Sequence, residues 1–444
     1  MNKHSLMATL ASGVLATTLA GCGSKPVTSA PQHVTISLLT LWPPPLVSQF
    51  DKAVTRYEKL HPQVTVQVQA VPFGELLSTI TTDALSPNAP TIYNIYDLWL
   101  PQLAQDHVVA PAPSSYAQDV RAYWAPSLAK AVQVGGKIYG YPNEVDDYAL
   151  DYNKALFQQA HISHPPHNWV QLQADAKKLT KVNSAGQMVQ QGFSVITGWN
   201  SGVVHPWMSL MQSDGGQLLD SKTHMPNLTS SAARQTLNLY HSLIFEDKAT
   251  NPALDSANAS TTGPYLNNFA AGRTGMIIMA NWWESDLQSA MGNEFHNVGV
   301  APIPVGPHGT VPRSVYYAWL FTVNGHATNA QQRAAWQFLR WINSPASGQG
   351  GSSFMGRMLT EAGDMPSRTG DIRANARLLD TPFMTPYVQE LSHAMPFPLV
   401  LGGAQLTTDL QKQIEAMEYG TQTIAQTMSR AQQQATSLLK QYYH

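Results

Sequence analysis

The sequence predicts an α/β protein built as two lobes, and three observations carry that reading. From residue 34 onward the apolar residues alternate between a two-residue and a 3.6-residue period, as strands joined by crossover helices require. The pattern restarts after Gly140, with more elements than one α/β unit needs. The 444 residues leave room for two or three domains at ~100–200 residues each and for a large buried core.

Val34-Thr-Ile-Ser-Leu-Leu reads as the first strand. Leu46, Val47, Phe50, Ala53, Val54, Tyr57 and Leu60 fall on one helix face, stopped at His61-Pro62. Val64, Val66 and Val68 alternate as a second strand. Leu76, Leu77, Ile80 and Ala84 mark another helix, and Thr91–Tyr96 a third strand. Beyond Gly140 helices are expected over 154–160, 169–180 and 230–246, then the strand Gly275–Ala280. Strands at 298–304 and 315–323, a helix at 329–343 and one long helical tail from ~406 to 442 complete the pattern. No fixed-period repeat and no low-complexity block interrupts it.

Composition narrows the function. Lys+Arg 26 against Asp+Glu 28 is neither a basic nucleic-acid binder nor an acidic tail protein. The single Cys excludes a disulfide framework and a Cys-based zinc site. Charged residues are only 12%, so Gln, Asn, Ser and Thr carry the polar surface. Few carboxylates means few ion pairs to lose in acid, which points to an acidic external medium.

The chain opens Met1-Asn2-Lys3-His4 and then runs without charge from Leu6 to Ala20, the form of a secretory leader and too short to span a bilayer. No later segment reaches spanning length. Leu19-Ala20-Gly21-Cys22 resembles the lipobox of bacterial lipoproteins, whose Cys thiol takes a diacylglycerol. Residues 1–21 are therefore expected to be a signal peptide and 22–33 a polar tether from lipidated Cys22, holding the body on the outer face of the cytoplasmic membrane.

Tyr139-Gly-Tyr-Pro142, followed by Tyr152-Asn-Lys154 at a helix start, resembles the crossover segment of bacterial extracellular solute-binding proteins, the sugar receptors of ABC importers. The resemblance continues at Pro165-Pro166 with Trp169, at Phe269–Met276, at Asn281-Trp-Trp283, at Gly299–Pro304 and at Ala335–Leu339. It implies a two-lobed clamp, each lobe a mixed sheet flanked by helices, with three hinge crossovers near Tyr141–Glu144, Val300–Pro304 and Ile342–Pro345. Lobe one would be 34–141 with 303–343, and lobe two 142–302 with 344–444. The implied function is capture of a carbohydrate, in all expectation an oligosaccharide, and its delivery to ABC permease subunits by a monomer without cofactor.

A sugar needs aromatic faces for its C–H surfaces and carboxylates or amides for its hydroxyls. Trp42 ends the first strand ahead of Pro43-Pro44-Pro45, and ligands of open α/β sheets sit at carboxyl strand ends. Asp97 ends the third strand; Glu144 and Asp146 follow the crossover turn, where the family often places an acidic contact. Trp199 and Trp207 flank a loop containing Gly and His; of these Trp199 is the candidate. At least one of Trp282 and Trp283 is expected in the cleft, the other packing inward, and Tyr316, Tyr317 and Trp319 add aromatics where the family more often has glycine.

The rival readings are a secreted carbohydrate-active hydrolase and a static lectin-like lipoprotein. Residues 144, 146 and 147 on one segment do not straddle a scissile bond, which disfavours the hydrolase. His161, His164 and His167 are interrupted by Pro165-Pro166 and form no HExxH, so no metal is expected. The chain has no GxxxxGK[ST], so the energy for transport must come from a partner.

Overall fold

A computed structural model of the chain describes residues 33–258 and 263–443. The expected leader, Cys22 and the tether up to residue 32 lie outside the described residues. The strands are β1 Val34–Thr40, β2 Val64–Ala70, β3 Ile92–Tyr96, the short hairpin β4 Gln133–Val134 with β5 Lys137–Ile138, and the long β6 Gly140–Asn153. They continue as β7 Lys181–Val182, β8 Met188–Ser194, β9 Thr274–Ala280, β10 Val298–Ala301, β11 Val315–Val323, β12 Met365–Pro366 and β13 Met395–Pro396.

Apart from the hairpin, these strands join in the order β2-β1-β3-β11-β6-β9-β8-β7, with β10 and β12 also on β6 and β13 on β11. Pairing is parallel for β1 with β2 and β3, and for β8 with β9; β11 and β6 run antiparallel to their sheet neighbours β3 and β9. Helices Pro44–Leu60 and Asn329–Ile342 cover the β1 side, where Phe50 meets Phe338 edge-on at 6.0 Å. Helices Trp169–Leu179, Asn200–Ser213, Gly403–Glu418 and Ile424–Leu439 lie with the β8 side. This is the mixed α/β, two-lobed architecture the sequence predicts.

The seam between the halves is β6. Residues 140–147 pair with β11, and from Tyr148 to Tyr152 the strand pairs with β9 instead. The partner switch thus falls at Asp147–Tyr148. The expected turn at Tyr139-Gly-Tyr-Pro142 is instead the start of this strand. Its ladder slips by one residue opposite Asn143, so Pro142, which has no N–H to give, sits beside a bulge. Gly140 permits the close strand approach: a Cβ there would stand 2.2 Å from the Phe321 carbonyl oxygen.

Two other segments differ from the sequence reading. The stretch between Trp199 and Trp207 is the start of helix Asn200–Ser213, which runs through Pro206 and is buried along nearly its whole length. Gly202 and Pro206 argue against a helix by propensity, and burial on all sides overrides them. The C-terminal tail is two helices: Gly420, at φ 71°, follows the first, and Thr423 opens the second with a capping box to Gln426.

Candidate functional site

A cavity of about 660 Å³ opens beyond the carboxyl ends of β1 and β3. Sheet register builds its floor. Trp319 of β11 stands directly opposite Tyr96 of β3 on one side and Glu144 of β6 on the other. Two residues along, Tyr317 stands opposite Asp146. Facing residues of adjacent strands share a side of the sheet, so β3, β11 and β6 bring these groups to one face. The Tyr96 ring lies 5.1 Å from Tyr317 and 5.9 Å from Trp319.

The loop after β1 supplies Trp42, wedged against Phe50 at 5.1 Å and Phe321 at 5.8 Å. The opposite wall holds Trp199, stacked on Tyr265 at 6.4 Å with its edge to Trp282 at 6.1 Å. His205, from helix Asn200–Ser213, is fully buried at the cavity edge. Its Nε2 is 2.9 Å from the Tyr96 hydroxyl and its Nδ1 3.1 Å from the Tyr148 hydroxyl. Burial holds its pKa down at about 3, so the ring is neutral, with one nitrogen donating and the other accepting.

Glu144 and Asp364 bring carboxylates to the cavity wall, with Asp146 beside them. An oxygen from each lies within 4.8 Å of the others, close enough to ligate one cation, the one such acidic or histidine group among the described residues. Burial pushes Asp146 up to about 7; burial and the neighbouring acids push Glu144 and Asp364 well above the ordinary carboxylate range. The Asn281 amide donates to Asp146 Oδ1 at 3.1 Å. Closely spaced carboxylates do not all ionise together, so this wall carries shared protons near neutral pH.

Six of the ten residues singled out from sequence come together on the cavity wall: Trp42, Glu144, Trp199, Trp282, Tyr317 and Trp319. Asp146 stands behind Glu144 rather than on the wall. Asp97 is buried, and its Oδ2 accepts the Ala318 N–H at 2.9 Å, tying the end of β3 to β11. Trp283 is fully buried against Phe269 at 5.4 Å. Tyr316 stands opposite Asp147, on the face away from Tyr317, because side chains alternate along a strand. His164 and His167 stack at 5.3 Å without a third ligand among the described residues.

Sequence reasoning missed His205 and Asp364. His205 sits in a segment read as loop, and Asp364 follows helix Phe354–Ala362 across Gly363, at φ 93°. That left-handed Gly was a legible helix stop, but nothing local says that the next residue meets Glu144. Tyr96 was visible only as the end of a strand.

The family model for bacterial extracellular solute-binding proteins matches residues 43–349. A binding protein of Brucella abortus is 28% identical over 260 residues, 59% of this chain and 60% of that one. The diacetylchitobiose binding protein DasA of Streptomyces coelicolor is 23% identical over 273 residues, 60% of this chain and 59% of its own. The chain thus spans about 60% of the length of these curated relatives. Among solved structures, the GacH receptor of Streptomyces glaucescens, studied unliganded and with acarbose, superposes with a TM-score of 0.77 at 20% identity, over 92% of this chain and 99% of that one. That likeness establishes the fold. With a family match across more than half its length, the chain belongs to the bacterial extracellular solute-binding proteins.

Proposed function

We propose that this chain is a lipid-anchored extracellular receptor that captures a carbohydrate in the cavity and delivers it to the permease subunits of an ABC importer. The observation that carries the reading is the shared face of β3, β11 and β6. It sets aromatic rings beside carboxylates, the two kinds of surface a sugar ring presents partners for. The sugars named for DasA and GacH, diacetylchitobiose and acarbose, support the same class of ligand. The site residues are Trp42, Glu144, Trp199, Trp282, Tyr317 and Trp319, with Asp146, Tyr96, His205 and Asp364 as further contacts or supports.

The lobes are 34–141 with 303–343, and 142–302 with 344–444, the first crossing between them running along β6 as far as its change of partner at Asp147–Tyr148. Ligand enters the open form, and contacts made only on closure stabilise the closed one. The protein is a monomer, tethered through Cys22 and without a cofactor. It does no chemistry on its ligand: the carboxylates of Glu144, Asp146 and Asp364 crowd within 4.8 Å of one another, whereas hydrolysis needs two that flank the scissile bond.

A thermal-shift screen over mono- and oligosaccharides tests this directly, since a ligand held only by the folded state raises the melting temperature. Small-angle scattering should then show the particle contracting with the stabilising sugar. A sugar that stabilises without contraction favours a static lectin; stabilisation by no sugar overturns the reading.

A further inference from the structure

Resting on the carbohydrate reading, we infer that the cavity selects a saccharide carrying a protonated amine over its neutral counterpart and rejects anionic sugars. The ground is an imbalance of charge. Three acids, Glu144, Asp286 and Asp364, lie on the cavity wall, and no Lys or Arg does among the described residues. Glu144 is 7% exposed and Asp146 0% exposed. Buried acids that serve structure are paired with a cation or a full set of donors.

Some acids elsewhere in the chain are paired in that way, although buried Glu418, away from the cavity, leaves both oxygens without a hydrogen-bond partner among the described residues. Asp371 takes the Ser353 N–H and hydroxyl and the Arg368 guanidinium, and Asp119 takes Arg340 at 2.6 Å. The cluster is different. The groups acting on Glu144 are Asp146 and Asp364, and those acting on Asp364 are Asp146, Glu284 and Asp286. Every one is another acid. Glu144 has Asp146 as its hydrogen-bond partner, which in turn takes the Asn281 amide and the Tyr317 hydroxyl, and no basic group meets the carboxylate at the cavity wall among the described residues.

An ammonium on a sugar ring supplies what the wall lacks. It donates charge-assisted hydrogen bonds to Glu144 and Asp364. The Trp and Tyr faces across the cavity attract the same cation. The ammonium keeps its own proton, and a proton shared among the carboxylates leaves for solvent. A phosphate or uronate would bring a negative charge into a cavity with no Lys or Arg on its wall among the described residues to offset it, and would repel whatever charge the acids retain.

The test uses matched probes on the whole chain: glucose, glucosamine and glucuronate; galactose, galactosamine and galacturonate; and cellobiose with its diamino analogue. Calorimetry should show the amine form of a series binding at least about tenfold tighter than the neutral form, the usual weight of a hydrogen bond to a charged group, with no binding of the acid form. Glu144→Gln and Asp364→Asn, on separate segments, should each bring the amine-to-neutral ratio toward one, with folding checked by the melting curve of each variant. Equal or tighter binding of the neutral sugars overturns this inference and leaves the carbohydrate reading standing. Silence across these probes and a neutral oligosaccharide screen overturns both. An unchanged ratio in both variants, or spermidine bound as tightly as the amino sugar, also overturns it.

Discussion

Two segments feed the same cavity by different geometry. On β6, Glu144 and Asp146 go one way and Asp147 the other, because strand side chains alternate. Asp147 is accordingly met by the Ser314 hydroxyl and by the Tyr148 N–H at 2.8 Å, away from the acid cluster. At the tight helical turn Asn281–Trp283, neighbouring residues diverge by about a third of a circle. Trp282 lines the cavity while Trp283 is buried behind it. A strand sends every second residue to a site; a single helical turn sends one of three. The same pair of adjacent residues therefore means two different things in the two places.

The largest expected effect breaks the turn. Trp283→Ala should cost about 3–5 kcal/mol of stability, as other large buried truncations do, read by denaturant unfolding. A loss under about 1 kcal/mol would mean that Trp283 is not core.

Next comes the strand, through pH. Burial holds Asp97 up at about 8 and Asp146 at about 7, against roughly 4 for an unfolded carboxyl. Between those values the folded chain keeps protons that the unfolded chain releases, so these groups' stability is lost as pH rises from about 4 to 8. His205, held down at about 3, works in the opposite sense, since below about pH 6.5 the unfolded chain takes a proton that the folded one refuses. Several acids outweigh one histidine, so the melting temperature should be higher at pH 5 than at pH 8, and Asp146→Asn should flatten the difference. A lower melting temperature at pH 5 would count against these assignments and against the acidic external medium that the low charge suggests.

Smaller again is Trp282→Ala. It should weaken binding of the stabilising sugar by about 5- to 150-fold, the equivalent of about 1–3 kcal/mol by analogy with base–aromatic stacking, while the empty protein melts close to the parent. Unchanged affinity would remove Trp282 from the site. The smallest effect sharpens the strand comparison. Tyr317→Phe removes a hydroxyl beside Asp146 and should lower sugar affinity by about tenfold or less, whereas Tyr316→Phe, on the other face, should leave affinity unchanged. Equal losses from the two would show that strand alternation does not sort them.

The sequence made local order legible and left long-range register out of reach. Val64, Val66 and Val68 announce β2 because burial on one face writes a period of two. The helix ending at Leu60 is announced by its apolar stripe and the following His61-Pro62. β6 carries no such signature: it is buried on both faces, so no alternation shows, and its Gly140 and Pro142 read as a turn. Trp42 and Trp282 were found because a Trp at a strand end is visible locally. Asp364 was not, because its meeting with Glu144 depends on how a segment 220 residues further along folds back onto β6. Trp282 and Trp283 fall between these cases: the divergence of the pair was legible, but which one faces the cavity depended on the turn's orientation.

The buried acids also change what the chain is as an ion. Counting residues gives a net charge of -2 and an isoelectric point near 6.7. That count treats Glu144, Asp147, Asp151, Asp364 and Glu418 as ionised at neutral pH, although burial holds each well above the ordinary carboxylate range. Folding therefore takes up protons and makes the molecule more cationic than its composition. In a native focusing gel the folded chain should settle at a more basic position than the same chain in urea, and the gap between the two bands measures how much acid the fold keeps silent.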